Sequence, residues 1–168
     1  MNYYEFLNSA RKHQSTCNEI FLILDTQKAE VSGQQKAKNK QLVYNLYYLS
    51  GYIIECSIKY AIYHLISYDR KKNIKELNQD GITFSHNIKH HKYERYVDVL
   101  NIRQPGLVLI DDIKGISKEV VSLYKLWDAE VRYWYNDIDE DKKKKLNKDN
   151  ILSFYKLAEK LMKEIERI

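Results

Sequence analysis

The sequence has few of the residues that build turns. Among its 168 residues there are five glycines and one proline. An all-β sandwich or barrel needs turns at short intervals, and glycine and proline supply many of them, so this composition argues against that class. The length is that of one ordinary domain, and 44% hydrophobic residues suffice for a core. A handful of long helices joined by few loops fits these numbers better.

Cysteine-rich sites and common catalytic motifs are also missing. The two cysteines, Cys17 and Cys56, lie far apart on apolar seams, which predicts two buried free thiols. There is no paired-cysteine zinc pattern, glycine-rich phosphate loop or nucleophile elbow. His86, His90 and His91 form a short cluster, but no acidic or cysteine third ligand lies near in sequence, so surface or phosphate-facing roles are favoured over a metal. We expect no metal and no cofactor.

The chain also lacks targeting and membrane signals. Its N-terminus has no basic region followed by an apolar run, and its most apolar helix contains Tyr, Glu, Cys and Lys. We therefore expect a cytoplasmic protein without a membrane partner. The formal net charge of +5 favours a polyanionic partner such as RNA, DNA or an acidic protein, although lysine-rich composition is also an ordinary route to solubility.

Apolar residues recurring at steps of three and four predict the helices. They cover about residues 3–29, 41–68, 85–100, 117–134 and 149–168. Polar segments predict a loop at 31–40, a linker at 69–81 and a charged connector at 136–148, while Pro105-Gly106 breaks the chain and the apolar run 107–113 is a strand or a buried turn. Together these elements predict an all-α fold with a single domain over residues 1–168, an up-and-down bundle of four to five helices.

The second predicted helix contains the most informative segment, residues 47–59. It is apolar almost all round, which is typical of a buried central helix, yet it carries Glu55 and Lys59 one turn apart. Burying these charges costs desolvation energy unless they satisfy each other or a ligand. Gly51 costs about 1 kcal/mol of helix propensity relative to alanine, which a close helix–helix approach would explain.

One face of this helix combines hydroxyl groups with the charged pair. At 100° per residue the following side chains fall within a narrow arc: Tyr44, Tyr48, Tyr52, Glu55, Lys59 and Tyr63. One interpretation is a snorkelling ion pair with tyrosines on a partly exposed face. The other is a polar groove that holds a phosphate or a base.

Two further positions have alternative interpretations. Arg132 and Tyr133 lie in an aromatic run over residues 127–135. The arginine either pairs with Asp128 at i, i+4 or presents its guanidinium among aromatic rings to a phosphate with stacked bases. His13 lies on the first helix seam, where a hydrogen-bonded core histidine is the favoured interpretation.

Four motifs in order resemble the HEPN domain family. The segment 49–59 resembles its signature helix, with a Glu and a Lys four residues later. The step at 85–88 resembles its Thr-His-Asp-Leu entry into the third helix, Arg132-Tyr133 resembles the Arg-Tyr that closes its penultimate helix, and 147–168 resembles its last helix, with Ala158-Glu159 in place. The resemblance covers most of the chain.

The resemblance implies a four- to five-helix bundle, often a homodimer, that associates with RNA or nucleotides. It also implies a role in prokaryotic toxin–antitoxin or anti-phage systems, in which many members are metal-independent ribonucleases and others partner a nucleotidyltransferase. This sequence departs from the nuclease members, because none of its arginines is followed after four to six residues by a histidine. It is therefore uncertain from the sequence whether the chain is an enzyme.

These observations lead to three functional hypotheses. The first is a domain that binds RNA or a nucleotide through Tyr48, Tyr52, Glu55, Lys59, Arg132 and Tyr133, with His86 also lining the groove. The second is a divergent ribonuclease in which Arg132 stabilises the phosphorane and His86 or His13 is the general base. The third is a protein-interaction subunit, for example with a nucleotidyltransferase, that uses the aromatic fourth helix.

Overall fold

A computed structural model describes residues 1–26, 32–104, 115–134 and 138–168, and it shows an all-α helical bundle, as predicted. Its α-helices are α1 (Tyr4–Thr26), α2 (Gly33–Leu65), α3 (Glu94–Arg103), α4 (Lys118–Leu126), α5 (Glu140–Lys145) and α6 (Lys148–Ile165). Two short strands, β1 (Asn78–Gln79) and β2 (Ile82–Thr83), form a small antiparallel hairpin. Among the described helices, none combines the length and the apolar composition that crossing a bilayer would require.

Helix α2 lies at the centre of the bundle. It packs against α1, α3 and α6 and against a 3₁₀ turn at Ala129–Tyr133. Every residue from Ile53 to Tyr63 is buried, whichever face of the helix it occupies. The expectation that an all-round apolar helix is the central one is therefore confirmed.

The start of α2 differs from the prediction. Residues 33–40 are helical rather than a loop, because the Ser32 side chain accepts a hydrogen bond from the Gln35 backbone N–H and so caps the helix. Lys, Gln and Ala are good helix formers, and the segment is polar because most of it faces solvent. The predicted end of the first helix at residue 29 falls in 27–31, outside the described residues.

The segment between α2 and α3 is structured rather than a plain linker. It contains a 3₁₀ turn (Ile74–Glu76), the hairpin, and a π-helical turn (Phe84–Ile88). The predicted helix from 85 to 100 is wrong at its start, since α3 begins at Glu94. The Thr83 side chain accepts from the His86 N–H while Asn87 accepts from the Thr83 N–H, and these bonds close a local turn.

Helix α4 ends earlier than its apolar pattern predicted. It stops at Leu126, and Trp127 and Asp128 adopt extended backbone angles. The Asp128 side chain then accepts from the Glu130 N–H and starts the 3₁₀ turn that carries Arg132. The predicted continuous helix to residue 134 is therefore wrong. Asp128 and Arg132 do not lie one turn apart on an α-helix, which was the reason to expect that they pair.

The charged connector is partly helical, and the cysteines are buried. Residues Glu140–Lys145 form α5, with Asp139 as its N-cap, so the connector is partly helical. Both cysteines are buried free thiols, as predicted, and burial raises the pKa of Cys17 and of Cys56 to about 12. Pro105-Gly106 and the run 107–113 fall in 105–114, outside the described residues.

Candidate functional site

The charged pair on α2 is fully buried. Lys59 Nζ lies 2.7 Å from Glu55 Oε1, and the two residues are 5% and 3% exposed. The ammonium also lies 5.7 Å and 5.2 Å from the ring centres of Phe6 and Tyr96, so aromatic faces surround the charge. The interpretation of an exposed, snorkelling pair is therefore wrong, because α1 and α3 cover this face of α2.

A surface histidine completes the pair. His91 Nδ1 lies 3.1 Å and 3.0 Å from the two oxygens of the Glu55 carboxylate, and its side chain is 47% exposed. This hydrogen bond raises the pKa of His91, against burial and the Lys59 charge, which lower it. The carboxylate thus joins a buried ammonium to an imidazole at the surface.

The His91–Glu55 contact predicts a pH-dependent stability. A pKa raised on folding means that the stabilisation is fully present below the unfolded value of about 6.5 and is lost as pH rises through the folded pKa. We expect His91→Gln to lower Tm most near pH 6 and progressively less at higher pH. Tm of both proteins measured across pH 5.5–8.5 tests this, with His86→Gln as the control that keeps the wild-type profile. A constant Tm difference across that range would contradict it.

Tyr52 is surrounded by other rings. Its centroid lies 5.0 Å from Tyr48, 5.2 Å from Trp127, 5.6 Å from His13 and 6.3 Å from His91. We call these five residues the Tyr52 cluster. Burial and a hydrogen bond with Tyr48 raise the pKa of the Tyr52 phenol, so it remains a neutral donor and acceptor. The cluster brings two imidazoles from distant parts of the chain to one phenol.

Gly51 allows this cluster to form. A Cβ at Gly51 would overlap the indole ring of Trp127, whose Nε1 donates to the Tyr48 carbonyl at 3.3 Å. Tyr93 stacks on the indole with 4.9 Å between ring centres, and its hydroxyl donates to the Gly51 carbonyl at 2.7 Å. The close approach inferred from the glycine is real, but an indole ring makes it rather than another helix.

The two histidines of the cluster have opposite electrostatic environments. His13 is half-buried on α1, and desolvation, assisted by the Lys12 charge, lowers its pKa. Hydrogen bonding to Glu55 raises the pKa of His91. Compared with a free imidazole, the first is therefore shifted towards the neutral base and the second towards the imidazolium. The sequence favoured a hydrogen-bonded core histidine at position 13, but the His13 ring is only half-buried and faces Tyr52 at the edge of the core.

Arg132 joins the cluster through Tyr48. Its guanidinium is exposed, lies 4.7 Å from the ring centre of Tyr133 and lines the same groove as Tyr48. The hydroxyl groups of Tyr133 and Tyr48 beside the guanidinium raise the pKa of Arg132. Tyr133 itself is 73% exposed. A cation and an open aromatic face thus stand beside the half-buried tyrosines of α2.

The structure brings most of the proposed site residues together. Arg132 lies beside Tyr48 and Tyr133. Tyr52 contacts the His91 ring, which hydrogen-bonds to Glu55 of the Glu55–Lys59 pair. The other candidate catalytic residue, His86, is exposed on the π-helical turn, and within the described part of the chain its side chain makes no hydrogen bond, ion pair or ring contact with Arg132.

Sequence reasoning missed His91 as the histidine of the site. It lies 36 residues from Glu55, and the sequence signal was only the cluster of three histidines. Within the described residues, no group of three His, Cys, Asp or Glu side chains is arranged to hold a metal ion.

Comparison of the chain with protein-family models, with curated proteins and with solved structures found no match. The site is therefore interpreted from its own residues.

Proposed function

We propose that this protein binds RNA or a nucleotide through the Tyr52 cluster together with Arg132 and Tyr133. The observation that carries the proposal is the arrangement of four rings around Tyr52, with the Arg132 guanidinium in the same groove as one of them, Tyr48. Bases stack on aromatic faces, and a guanidinium binds a phosphate through paired hydrogen bonds. Tyr133, which is 73% exposed, and the half-buried Tyr48 and Tyr52 offer the ring surface, and Arg132 offers the guanidinium.

Charge supports an anionic ligand. Arg132 is a permanent cation, and the Glu55 hydrogen bond favours the charged form of His91 near neutral pH. The net charge of +5 acts in the same direction. Glu55 itself is buried and neutralised by Lys59, so it does not repel an incoming phosphate as an exposed carboxylate would.

The order of motifs that resembles HEPN domains supports the same proposal. On that resemblance the binding would serve a prokaryotic toxin–antitoxin or anti-phage system, and the chain would act as a homodimer or with a nucleotidyltransferase. A protein-interaction subunit is the alternative outcome if no nucleic acid binds. The binding experiment below separates these functions without assuming a partner.

Arg132→Ala is expected to weaken RNA binding at least tenfold, because one charge-assisted contact contributes roughly 1.5–3 kcal/mol. The variant should fold normally, since the guanidinium is exposed. Fluorescence anisotropy with a labelled single-stranded RNA measures the effect. Arg103→Ala is the matched control, because that arginine is held by Asp80 at 3.2 Å. Equal affinity of the wild type and Arg132→Ala would overturn the proposed site.

A second candidate function is metal-independent RNA cleavage, favoured by the two histidines that contact Tyr52. Neutral His13 would take the proton from a ribose 2′-OH, and the 2′ oxygen would form a bond to phosphorus. The bond from phosphorus to the 5′ oxygen would break, and the His91 imidazolium would give its proton to that leaving oxygen. Arg132 would stabilise the phosphorane charge, and the products would be a 2′,3′-cyclic phosphate and a 5′-hydroxyl.

Cleavage is tested with the same RNA in the presence of EDTA. We expect His13→Ala and His91→Ala each to lower the cleavage rate by at least 10²-fold, the usual contribution of a general acid or base, while His86→Ala leaves it unchanged. The pH–rate profile should be bell-shaped and should lose one limb in each variant. Wild-type protein that binds RNA without cleaving it would exclude this function and leave the binding proposal intact.

A further inference from the structure

A lysine groove lies next to the proposed site along α2. It has a volume of about 360 Å³ and is lined by these residues: Leu24, Asn39, Lys40, Val43, Tyr44, Lys143, Leu146 and Lys148. A second groove of about 250 Å³ contains Arg132, Trp134 and Tyr48, and it also includes Tyr44. The two grooves therefore share Tyr44 as a lining residue, and the second one shares Tyr48 with the Tyr52 cluster.

Cations and aromatic rings are paired along this path. Lys40 Nζ lies 5.5 Å from the ring centre of Tyr44, and Lys142 Nζ lies 5.1 Å from that of Trp134. The Lys143 charge acts on the Tyr44 phenol and opposes the pKa increase that burial causes. Each aromatic platform in the grooves thus has a positive charge beside it.

We propose that the protein binds a single-stranded RNA of several nucleotides, which runs along α2 from the lysine groove, over Tyr44 and Tyr48, to the Tyr52 cluster. This inference rests on the proposed function and names its ligand as an oligonucleotide rather than a mononucleotide. Tyr44, Tyr48 and Tyr52 follow one another every four residues, so the platforms rise by about 6 Å at each step of the helix. A mononucleotide would fill only one end of this path.

The chemistry of the path favours an unpaired strand over a duplex and over an acidic peptide. Half-buried tyrosine rings offer faces and edges to splayed bases, whereas the bases of a duplex are stacked on one another and unavailable. An acidic peptide would use the lysines but has no bases for the rings. Lys142 and Lys143 of α5 pair with Asp139 and Glu140 at the surface, and such exposed pairs are weak enough to exchange for phosphates.

The test measures affinity against ligand length. Uridine monophosphate, the dinucleotide, and oligouridylates of four and eight residues are titrated into wild-type protein, Lys143→Ala, Lys148→Ala and the control Lys163→Ala, whose lysine pairs with Glu159 on α6. An abasic octamer and poly-glutamate test the requirement for bases. Circular dichroism confirms that each variant folds.

We expect wild-type affinity to rise from the dinucleotide to the octamer by at least tenfold. Lys143→Ala and Lys148→Ala should each weaken octamer binding about fivefold and reduce the slope of log affinity against log salt by about 0.7, without affecting the dinucleotide. Lys163→Ala should match the wild type, and the abasic octamer and poly-glutamate should bind more weakly than the RNA octamer.

Each contrary outcome has a distinct meaning. Equal affinities for the dinucleotide and the octamer, or lysine variants that bind the octamer as tightly as the wild type, would overturn the path while leaving the Tyr52 cluster as a nucleotide site. Poly-glutamate that binds as well as RNA would also overturn it, in favour of an acidic protein partner. No binding of any RNA length would overturn the proposed function itself.

Discussion

Glu55→Gln is expected to lower the free energy of unfolding by about 3–5 kcal/mol, because it removes the negative charge and leaves a buried ammonium uncompensated. Lys59 Nζ is 2.7 Å from the carboxylate and 5% of the residue is exposed, so neither water nor a rearranged side chain restores its partner. The substitution also removes the charge that holds His91 at the surface. Urea denaturation at pH 7 measures the loss.

A matched pair on another helix provides the control. Glu159 and Lys163 have the same order and spacing with 2.9 Å between their charged atoms, but their side chains are 28% and 55% exposed. Glu159→Gln should change stability by no more than about 0.5 kcal/mol. Glu55→Leu combined with Lys59→Met should recover most of the loss, because no charge then remains buried. A single Glu55→Gln variant as stable as wild type would contradict the buried pair.

Gly51→Ala is expected to destabilise the protein by about 3 kcal/mol, although alanine is the better helix former by about 1 kcal/mol. The added Cβ would overlap the Trp127 indole, which is held by a stacked Tyr93 and by its hydrogen bond to the Tyr48 carbonyl. Displacing the indole would move one of the rings that contact Tyr52. We therefore expect weaker RNA binding together with the lower Tm, and thermal denaturation with anisotropy measures both.

Gly33 is the matched control, because nothing lies within 4 Å of a Cβ built there. Gly33→Ala at the first position of α2 should change stability by no more than about 0.5 kcal/mol. In a Trp127→Ala background the space beside Gly51 is empty, so Gly51→Ala should then be close to neutral or stabilising. Additive effects of the two substitutions would show that the indole does not cause the loss.

The long elements of the fold follow from sequence pattern, and the irregular ones do not. The apolar seams of α1, α2 and α6 identified these helices, because a helix that buries a stripe shows it at the period of 3.6. The pattern failed where polar helix formers face solvent, as at the start of α2. It also failed after Leu126, where apolar spacing continues but the chain leaves the helix to place Trp127 against Gly51.

The candidate site shows a similar division. Tyr48, Tyr52, Glu55 and Lys59 could be grouped from the sequence, because residues four apart share a helix face. His91 could not be assigned to Glu55, since its contact depends on how the segment after the π-helical turn passes over α2. Of the three neighbouring histidines, local sequence offers no reason to choose the third.

The sequence by itself determined the all-α fold class, the identity of the central helix, and the presence within that helix of a charged pair whose charges need partners. These depend on local periodicity and on the cost of burying charge, and both can be read from residue order. The tertiary structure decided that the pair is buried under α1 and α3, that His91 completes it, and that His13 and Arg132 approach neighbouring tyrosines of α2, Tyr52 and Tyr48. Such contacts join residues far apart in the chain, and only the packing of helices around Gly51 and Tyr52 sets their distances.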